Sequence, residues 1–276
     1  MSESRGFLYV ATGERHLGET LASIRSLRAV MPHASVVVFT DLPSAVPADL
    51  RAEVRVLREP SHSFMDKIAP LLETPFERTV FLDTDTILCE PVDDLFDLLE
   101  RFELAVAHAP LRHDRPFLSP NCFVELNTGV MAYRPTSAVR TLIDRWRAVY
   151  EQEVAATGRK DSDQPAFRQA AWEVETSLYI LPSEYNLRTV MPATTGRVRV
   201  RIVHGRDPDM LRIVREVNAS RSLRVFVPRL RDLHPAGFRV LSPVGGAAFG
   251  LLGSVIAMWN GLEAGLRQAK RRLFGP

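Results

Sequence analysis

The chain has 276 residues, 46% hydrophobic and 25% charged, a globular balance that suits one large α/β domain with an appendage or two small domains. A formal net charge of +2 provides no basic field, so no nucleic-acid partner is expected, and Cys89 and Cys122 are too few for a disulfide framework and suit a reducing cytosol. Met1 to Gly6 is polar and no segment reaches the roughly 18 uninterrupted apolar residues of a membrane span, so neither a signal peptide nor a transmembrane helix is expected.

Phe7 to Ala11 is an apolar run ending in Thr12-Gly13, a strand and a turn. Leu17 to Val30 has helical spacing, with Leu17, Leu21, Ile24 and Leu27 on one stripe. Val36 to Phe39 is a second strand, closed by Thr40-Asp41, and Val54 to Leu57 a third. Thr79 to Leu82 is a fourth, running into Asp83-Thr84-Asp85, and Val92 to Arg101 reads as the helix after it. This alternation predicts an α/β fold with a mostly parallel, Rossmann-like sheet flanked by helices. Ligands of such sheets bind beyond the carboxyl ends of the strands, where Thr12-Gly13, Asp41 and Asp83 to Asp85 all fall.

The second half is less regular. Leu104 to Ala107 and Val130 to Tyr133 read as strands separated by a polar, proline-bearing loop from Leu111 to Asn121. A helix is expected from about Ser137 to Val154, a loop to Asp163, a short helix from Gln164 to Trp172, and late strands at Leu178 to Leu181 and Arg199 to His204. After about Pro235 the chain changes character. Ala247 to Leu262 is apolar and small-residue-rich, and Arg267, Lys270, Arg271 and Arg272 follow. A helical tail over 236–276 is therefore expected, and residues 247–272 suit peripheral contact with a membrane. Packing on the first 235 residues, or on a second subunit in a homodimer, accounts for the same pattern.

Asp83-Thr84-Asp85 is the strongest local signal for chemistry. Side chains two apart on a strand share a face, so the two carboxylates would form a compact oxygen site for a hard divalent cation. Mn²⁺ or Mg²⁺ suits such a site, completed by diphosphate oxygens, and would neutralise a departing diphosphate. The plain alternative is a polar turn closing a strand.

The stretch from Phe76 to Phe96, with Arg78 and Leu82-Asp83-Thr84-Asp85 at its centre, resembles the metal-binding block of glycosyltransferase family 8 and its GT-A relatives. The likeness continues in Tyr9 to Gly13, Ser26-Leu27-Arg28, Val38 to Asp41, Asn127-Thr128-Gly129-Val130-Met131, Asp163-Gln164-Pro165 and Leu181 to Arg188. It implies a GT-A catalytic domain over residues 1–235 that binds a nucleotide-sugar donor, a UDP-sugar above others. The sugar would pass to a glycan or lipid-linked acceptor, with retention of anomeric configuration. A bacterial enzyme of envelope glycans, cytoplasmic and at the inner face of the cytoplasmic membrane, is the setting such a tail and acceptor would fit.

Carried over by residue, the resemblance puts Ala11, Thr12, Gly13 and Asp41 against the nucleotide and Asp83 and Asp85 on the metal, with Thr84 between them. Asn127 and the Gly129 backbone would line the sugar or acceptor pocket, and Asp163 and Gln164 would lie beside the anomeric carbon. Asp163 is the carboxylate to test as nucleophile or electrostatic stabiliser; otherwise it is a helix N-cap. His204 would be the third metal ligand, since neutral imidazole suits Mn²⁺. Gly205 directly follows His204 and Arg206 stands where the family has a lysine, with a planar fork that suits phosphate oxygens. Lys67 lies on a segment that in relatives runs past the donor; it and Arg78 each have the alternative of being solvated surface charges.

Three other readings compete. A haloacid dehalogenase-like phosphatase would use Asp83 as phosphoryl acceptor and Asp85 as acid/base. It also needs a downstream lysine and acidic pair, and Lys160-Asp161-Ser162-Asp163 supplies the residues without a buried strand before them. A nucleotidyltransferase would carry a glycine-rich, basic first loop, which Thr12-Gly13-Glu14-Arg15 matches poorly. An inactive relative that only binds would be expected to lose a carboxylate of the pair, and both stand.

Overall fold

Leu8 and Val10 pack on one side of a sheet while Phe7 and Tyr9 pack on the other, and the same alternation recurs in Val37/Phe39 against Val36/Val38 and in Phe81 against Val80/Leu82. Strands buried on both faces read as continuous apolar runs, and these two faces nucleate separate core layers. The computed structural model describes residues 4–109, 119–191, 193–195, 198–219, 224–228 and 238–241.

In chain order the first strands are β1 (Arg5–Ala11), β2 (Val36–Thr40), β3 (Glu53–Val56), β4 (Arg78–Leu82), β5 (Thr86–Leu88), β6 (Leu104–His108) and β7 (Leu126–Tyr133). They are followed by β8 (Leu178–Leu181), β9 (Leu187–Arg188), β10 (Ala193–Thr195), β11 (Ile202–His204), β12 (Arg224–Pro228) and β13 (Phe238–Leu241). The helices are α1 (Glu14–Val30), α2 (Met65–Ile68), α3 (Asp94–Leu98), α4 (Ser137–Thr157), α5 (Gln164–Glu173) and α6 (Met210–Val217).

Seven strands form the main sheet in the order β3-β2-β1-β4-β7-β6-β8. Only β7 runs against its neighbours; the pairings β1–β2, β2–β3, β1–β4 and β6–β8 are parallel, so the expected mostly parallel sheet is present. One core layer joins Ile24 and Leu27 of α1 and Leu95 and Phe96 of α3 to the sheet. The other joins Val139, Trp146 and Tyr150 of α4 and Phe167 of α5, with the Trp146 and Phe167 rings edge to face at 4.9 Å. Thr136 caps α4 by accepting from the Val139 N–H, and Gly158 ends it in the left-handed region at φ 70°.

Several short elements depart from the periodic reading. The helix expected from Val92 to Arg101 contracts to α3, and the residues after it tighten into turns that bond three residues back, Glu100 to Asp97 and Arg101 to Leu98. The strand expected from Arg199 begins at Ile202, because the Val200 N–H is taken by the Asn218 side chain and Arg201 N–H by the Glu184 carbonyl. A second small sheet, β5-β11-β9, lies beyond the end of β4, with β5 antiparallel and β9 parallel to β11. A third has the order β10-β12-β13, with β10 falling between β9 and β11 in the chain. No helix among the described residues is long and apolar enough to cross a membrane. The proposed membrane or subunit contact at 247–272 lies outside the described residues, as does most of the loop from Leu111 to Asn121.

Candidate active site

Asp83 follows the last residue of β4, and its N–H donates to the Gly129 carbonyl on β7, 2.8 Å away. Asp83 to Asp85 form a turn between β4 and β5 rather than a strand, which corrects the face-sharing argument made from the spacing. The carboxylates converge for a tertiary reason. The small sheet brings β11 alongside β5 with His204 opposite Thr86, and the Gly205 N–H bonds the Asp85 carbonyl at 2.9 Å. His204 Nε2 then lies 3.3 Å from Asp85 Oδ1 and 3.8 Å from Asp83 Oδ2. One ligand atom from each of Asp83, Asp85 and His204 falls within 4.8 Å of the other two.

The support behind this triad fits a metal centre. Asn186 Nδ2 donates to Asn127 Oδ1 at 2.8 Å, so the Asn186 carbonyl oxygen is the atom 2.7 Å from His204 Nδ1. That oxygen only accepts, so Nδ1 carries the proton and the Nε2 lone pair faces the carboxylates, the tautomer a metal requires. Two carboxylates and one imidazole suit Mn²⁺ or Mg²⁺ with oxygen ligands completing the shell. Gly129 is needed beneath the triad: a Cβ there would lie 2.1 Å from His204 Cε1 and 2.8 Å from Asp83 Oδ2. Its lack of a side chain leaves room for the ligands behind which it sits.

Lys67 is buried, which corrects its reading as a solvated charge. Its Nζ sits 3.4 Å from Asp83 Oδ1, 3.2 Å from Asp163 Oδ2 and 3.1 Å from Thr128 Oγ1. Burial works against the ammonium, but Asp163 and Asp83 outweigh it and raise the lysine above its ordinary value. Burial also pushes the Asp83 carboxyl up, against the opposing pull of Lys67 and His204. Asp85 is mostly buried, yet His204, when its ring is protonated and Nε2 donates, and the Arg206 charge hold it far below the usual carboxylate range; the Nε2 lone pair is open to a metal only in the neutral ring. Asp163 stands at the start of α5 but makes no capping bond. Its side chain turns instead to Lys67 and to the Thr128 hydroxyl, 2.8 Å away.

The opposite rim is built on α1. Arg206 donates to both Glu19 oxygens, at 2.7 and 2.8 Å, and its remaining nitrogen lies 3.3 Å from Asp85 Oδ2. Thr84 donates to Glu19 at 2.9 Å. Burial disfavours the Glu19 carboxylate, but Arg206 and Thr84 lower its pKa below the ordinary value.

A cavity of about 750 Å³ opens between these groups, with Thr12, Thr84, Asn127, Asp163, Gln164 and Arg206 among its lining residues, as well as Lys67 and the triad. Ala11, Gly13 and Asp41 stand behind this wall, where the Gly13 N–H donates to Asp41 Oδ1 at 3.0 Å and ties the ends of β1 and β2. Arg78 lies at the start of β4, far from the cavity, and donates to the Phe96 carbonyl and Glu100. Sequence reasoning did not single out Glu19, Thr128, Asn186 or Arg188. The signal for Asn186 and Arg188 was their place in the Leu181 to Arg188 block; nothing in the sequence marks Glu19.

Solved structures share this architecture. The galactosyltransferase LgtC, determined with donor and acceptor sugar analogs, is 12% identical and superposes with a TM-score of 0.52 over 74% of this chain and 87% of its own. The glycosyltransferase GlyE of Streptococcus pneumoniae TIGR4, in its apo form, is 16% identical with a TM-score of 0.51, over 67% of this chain and 46% of its own. The fold is of the GT-A type. No protein-family model and no curated sequence matches the chain, so the likeness is one of fold.

Proposed function

We propose that this chain is a metal-dependent glycosyltransferase that moves a sugar from a nucleotide-diphosphate donor, a UDP-sugar above others, to a glycan or lipid-linked acceptor with retention. The observation that carries the reading is the Asp83, Asp85 and His204 triad at the mouth of a GT-A sheet, with His204 Nε2 turned inward by Asn186. A bound divalent cation would be held by these three residues and would supply charge to the leaving diphosphate.

The chain's own groups do the rest. Thr12, with the backbone around Ala11 and Gly13 and the Asp41 carboxylate behind it, would receive the nucleotide. Thr84 and Arg206 form the rim facing the diphosphate, and Asn127 with the backbone at Gly129 fixes the floor. Lys67 holds Asp83 and Asp163 in one arrangement, so the metal carboxylate and the candidate sugar-side carboxylate keep a fixed relation. Gln164, beside Asp163 in the cavity wall, would bond sugar hydroxyls. These roles all fall within residues 1–235. The tail expected to be helical from 236 begins as a strand, since β13 pairs with β12, and the residues after it would serve contact with a membrane or a second subunit. The phosphatase alternative loses its support, since Lys160 to Asp163 lie in the loop before α5 rather than at the end of a buried strand.

Thermal unfolding with UDP, GDP, CMP and dTDP, each with Mn²⁺ or EDTA, tests the reading. One nucleotide should raise the melting temperature of wild type only with metal, and of the Asp83→Ala/Asp85→Ala variant not at all. Stabilisation by fluoroberyllate and by no nucleotide would transfer the assignment to a phosphatase.

A further inference from the structure

Four lysines and arginines among the described residues line the cavity. Lys160 is exposed on the loop before α5, Lys67 is committed to Asp83 and Asp163, and Arg206 to both oxygens of Glu19 and to Asp85. Arg188, half-buried on β9, is not. Among the described residues its Nε is buried without a hydrogen-bond partner, an expensive arrangement for part of a guanidinium.

Its position follows from strand pairing. β9 runs parallel to β11 with Arg188 opposite His204 and Leu187 opposite Val203. In-register neighbours share a face, so Leu187 and Val203 enter the small apolar cluster with Ile213 while Arg188 and His204 both border the cavity. The pairing with His204 sets Arg188 on the metal-ligand side of the cavity, where burial and Arg206 work against its charge and Asp85 and Asp83 favour it.

We propose that Arg188 is an anion-binding residue that receives the diphosphate of the donor beside Asp85 and His204. This rests on the transferase reading. A divalent cation balances only the two carboxylates that hold it, so an arriving diphosphate brings charge that Lys67 and Arg206, already paired, meet only by giving up their partners. Arg188 meets it with no bond to break, and a planar fork suits two phosphate oxygens.

The test uses the full chain as wild type, Arg188→Gln and Arg188→Lys. Three ligands are titrated: Mn²⁺ alone, inorganic pyrophosphate with Mn²⁺, and the nucleotides UDP, GDP, CDP, dTDP and UMP with Mn²⁺. The glutamine variant should melt no lower than wild type without ligand, because no hydrogen bond among the described residues is lost and a buried unpaired Nε is removed, and should bind Mn²⁺ at least as tightly, because a repelling cation is gone. Pyrophosphate and the preferred nucleoside diphosphate should bind about tenfold or more weakly, the scale of one lost charge-assisted bond, with UMP less affected and lysine restoring part of the loss. Unchanged pyrophosphate and diphosphate affinity in Arg188→Gln overturns the inference while leaving the transferase reading intact. So does a parallel loss of Mn²⁺ affinity, the mark of a structural role at His204. Arg188-dependent pyrophosphate binding with no nucleoside diphosphate bound by wild type upholds the anion site and defeats the transferase reading. Failure of wild type to bind pyrophosphate or any nucleoside diphosphate defeats both.

Discussion

Lys67 and Arg206 approach the same pair of carboxylates from opposite sides, at 3.4 Å from Asp83 and 3.3 Å from Asp85. Their surroundings differ. The Lys67 side chain is 10% exposed and its second carboxylate, on Asp163, 2%, whereas the Arg206 side chain is 44% exposed and its Glu19 partner 21%. The inner cation holds two acidic groups together in a largely buried setting. The outer one is a partly solvated clasp between the loop after β11 and α1. Burial, more than distance, decides what each contact is worth.

The largest consequence is at the inner cation. Lys67→Met leaves the buried Asp163 with no ion-pair partner among the described residues and takes the nearest cation from Asp83, and should destabilise the fold by about 3 kcal/mol or more, read from urea unfolding. Because the folded-state pKa of Lys67 is raised, its contribution is complete below the unfolded lysine value of about 10.4 and is lost only as pH rises through the higher folded value. The difference between wild type and Lys67→Met should therefore stay level from neutral pH to about pH 9. A loss under about 1 kcal/mol, the surface-pair scale, would erase the contrast between the two cations.

Next comes the support shared by both. Gly129→Ala drives a Cβ into His204 and Asp83 and should cost roughly 1–3 kcal/mol while abolishing metal-dependent nucleotide stabilisation in a thermal shift. Asn186→Ala frees His204 to choose the other tautomer, and Mn²⁺ affinity measured by electron paramagnetic resonance should fall about 10- to 100-fold. Retention of wild-type affinity would show that Asn186 does not orient the ligand.

The smallest effect is at the outer cation. Glu19→Gln and Arg206→Gln should each cost about 1 kcal/mol or less, and less again in high salt, with a double-mutant cycle measuring the coupling. The Glu19 pKa is lowered by folding, so its contribution is present above the unfolded glutamate value near 4.3 and is lost as pH falls through the lower folded value. The coupling should be intact at pH 7 and reduced toward pH 3. A coupling indifferent to salt and acid would make Arg206 as structural as Lys67.

The sequence by itself determined the sheet, because runs such as Val36 to Phe39 and Thr79 to Leu82 are apolar on both faces and only a two-sided core satisfies them. It also marked Asp83 and Asp85, through residue type and position at a strand end, and pointed to His204 through the resemblance to glycosyltransferase family 8. It could not show how they meet. β5 and β9 are too short to leave a periodic signal, and their pairing with β11 depends on contacts between distant segments of chain. Burial was equally hidden. Lys67 and Arg206 are both cations in polar stretches, and only packing put one among Phe64, Phe81 and Asp163 and the other at the rim. Residue types set which interactions were available; the dielectric around each group, and so the strength of its interactions, was decided by the tertiary structure alone.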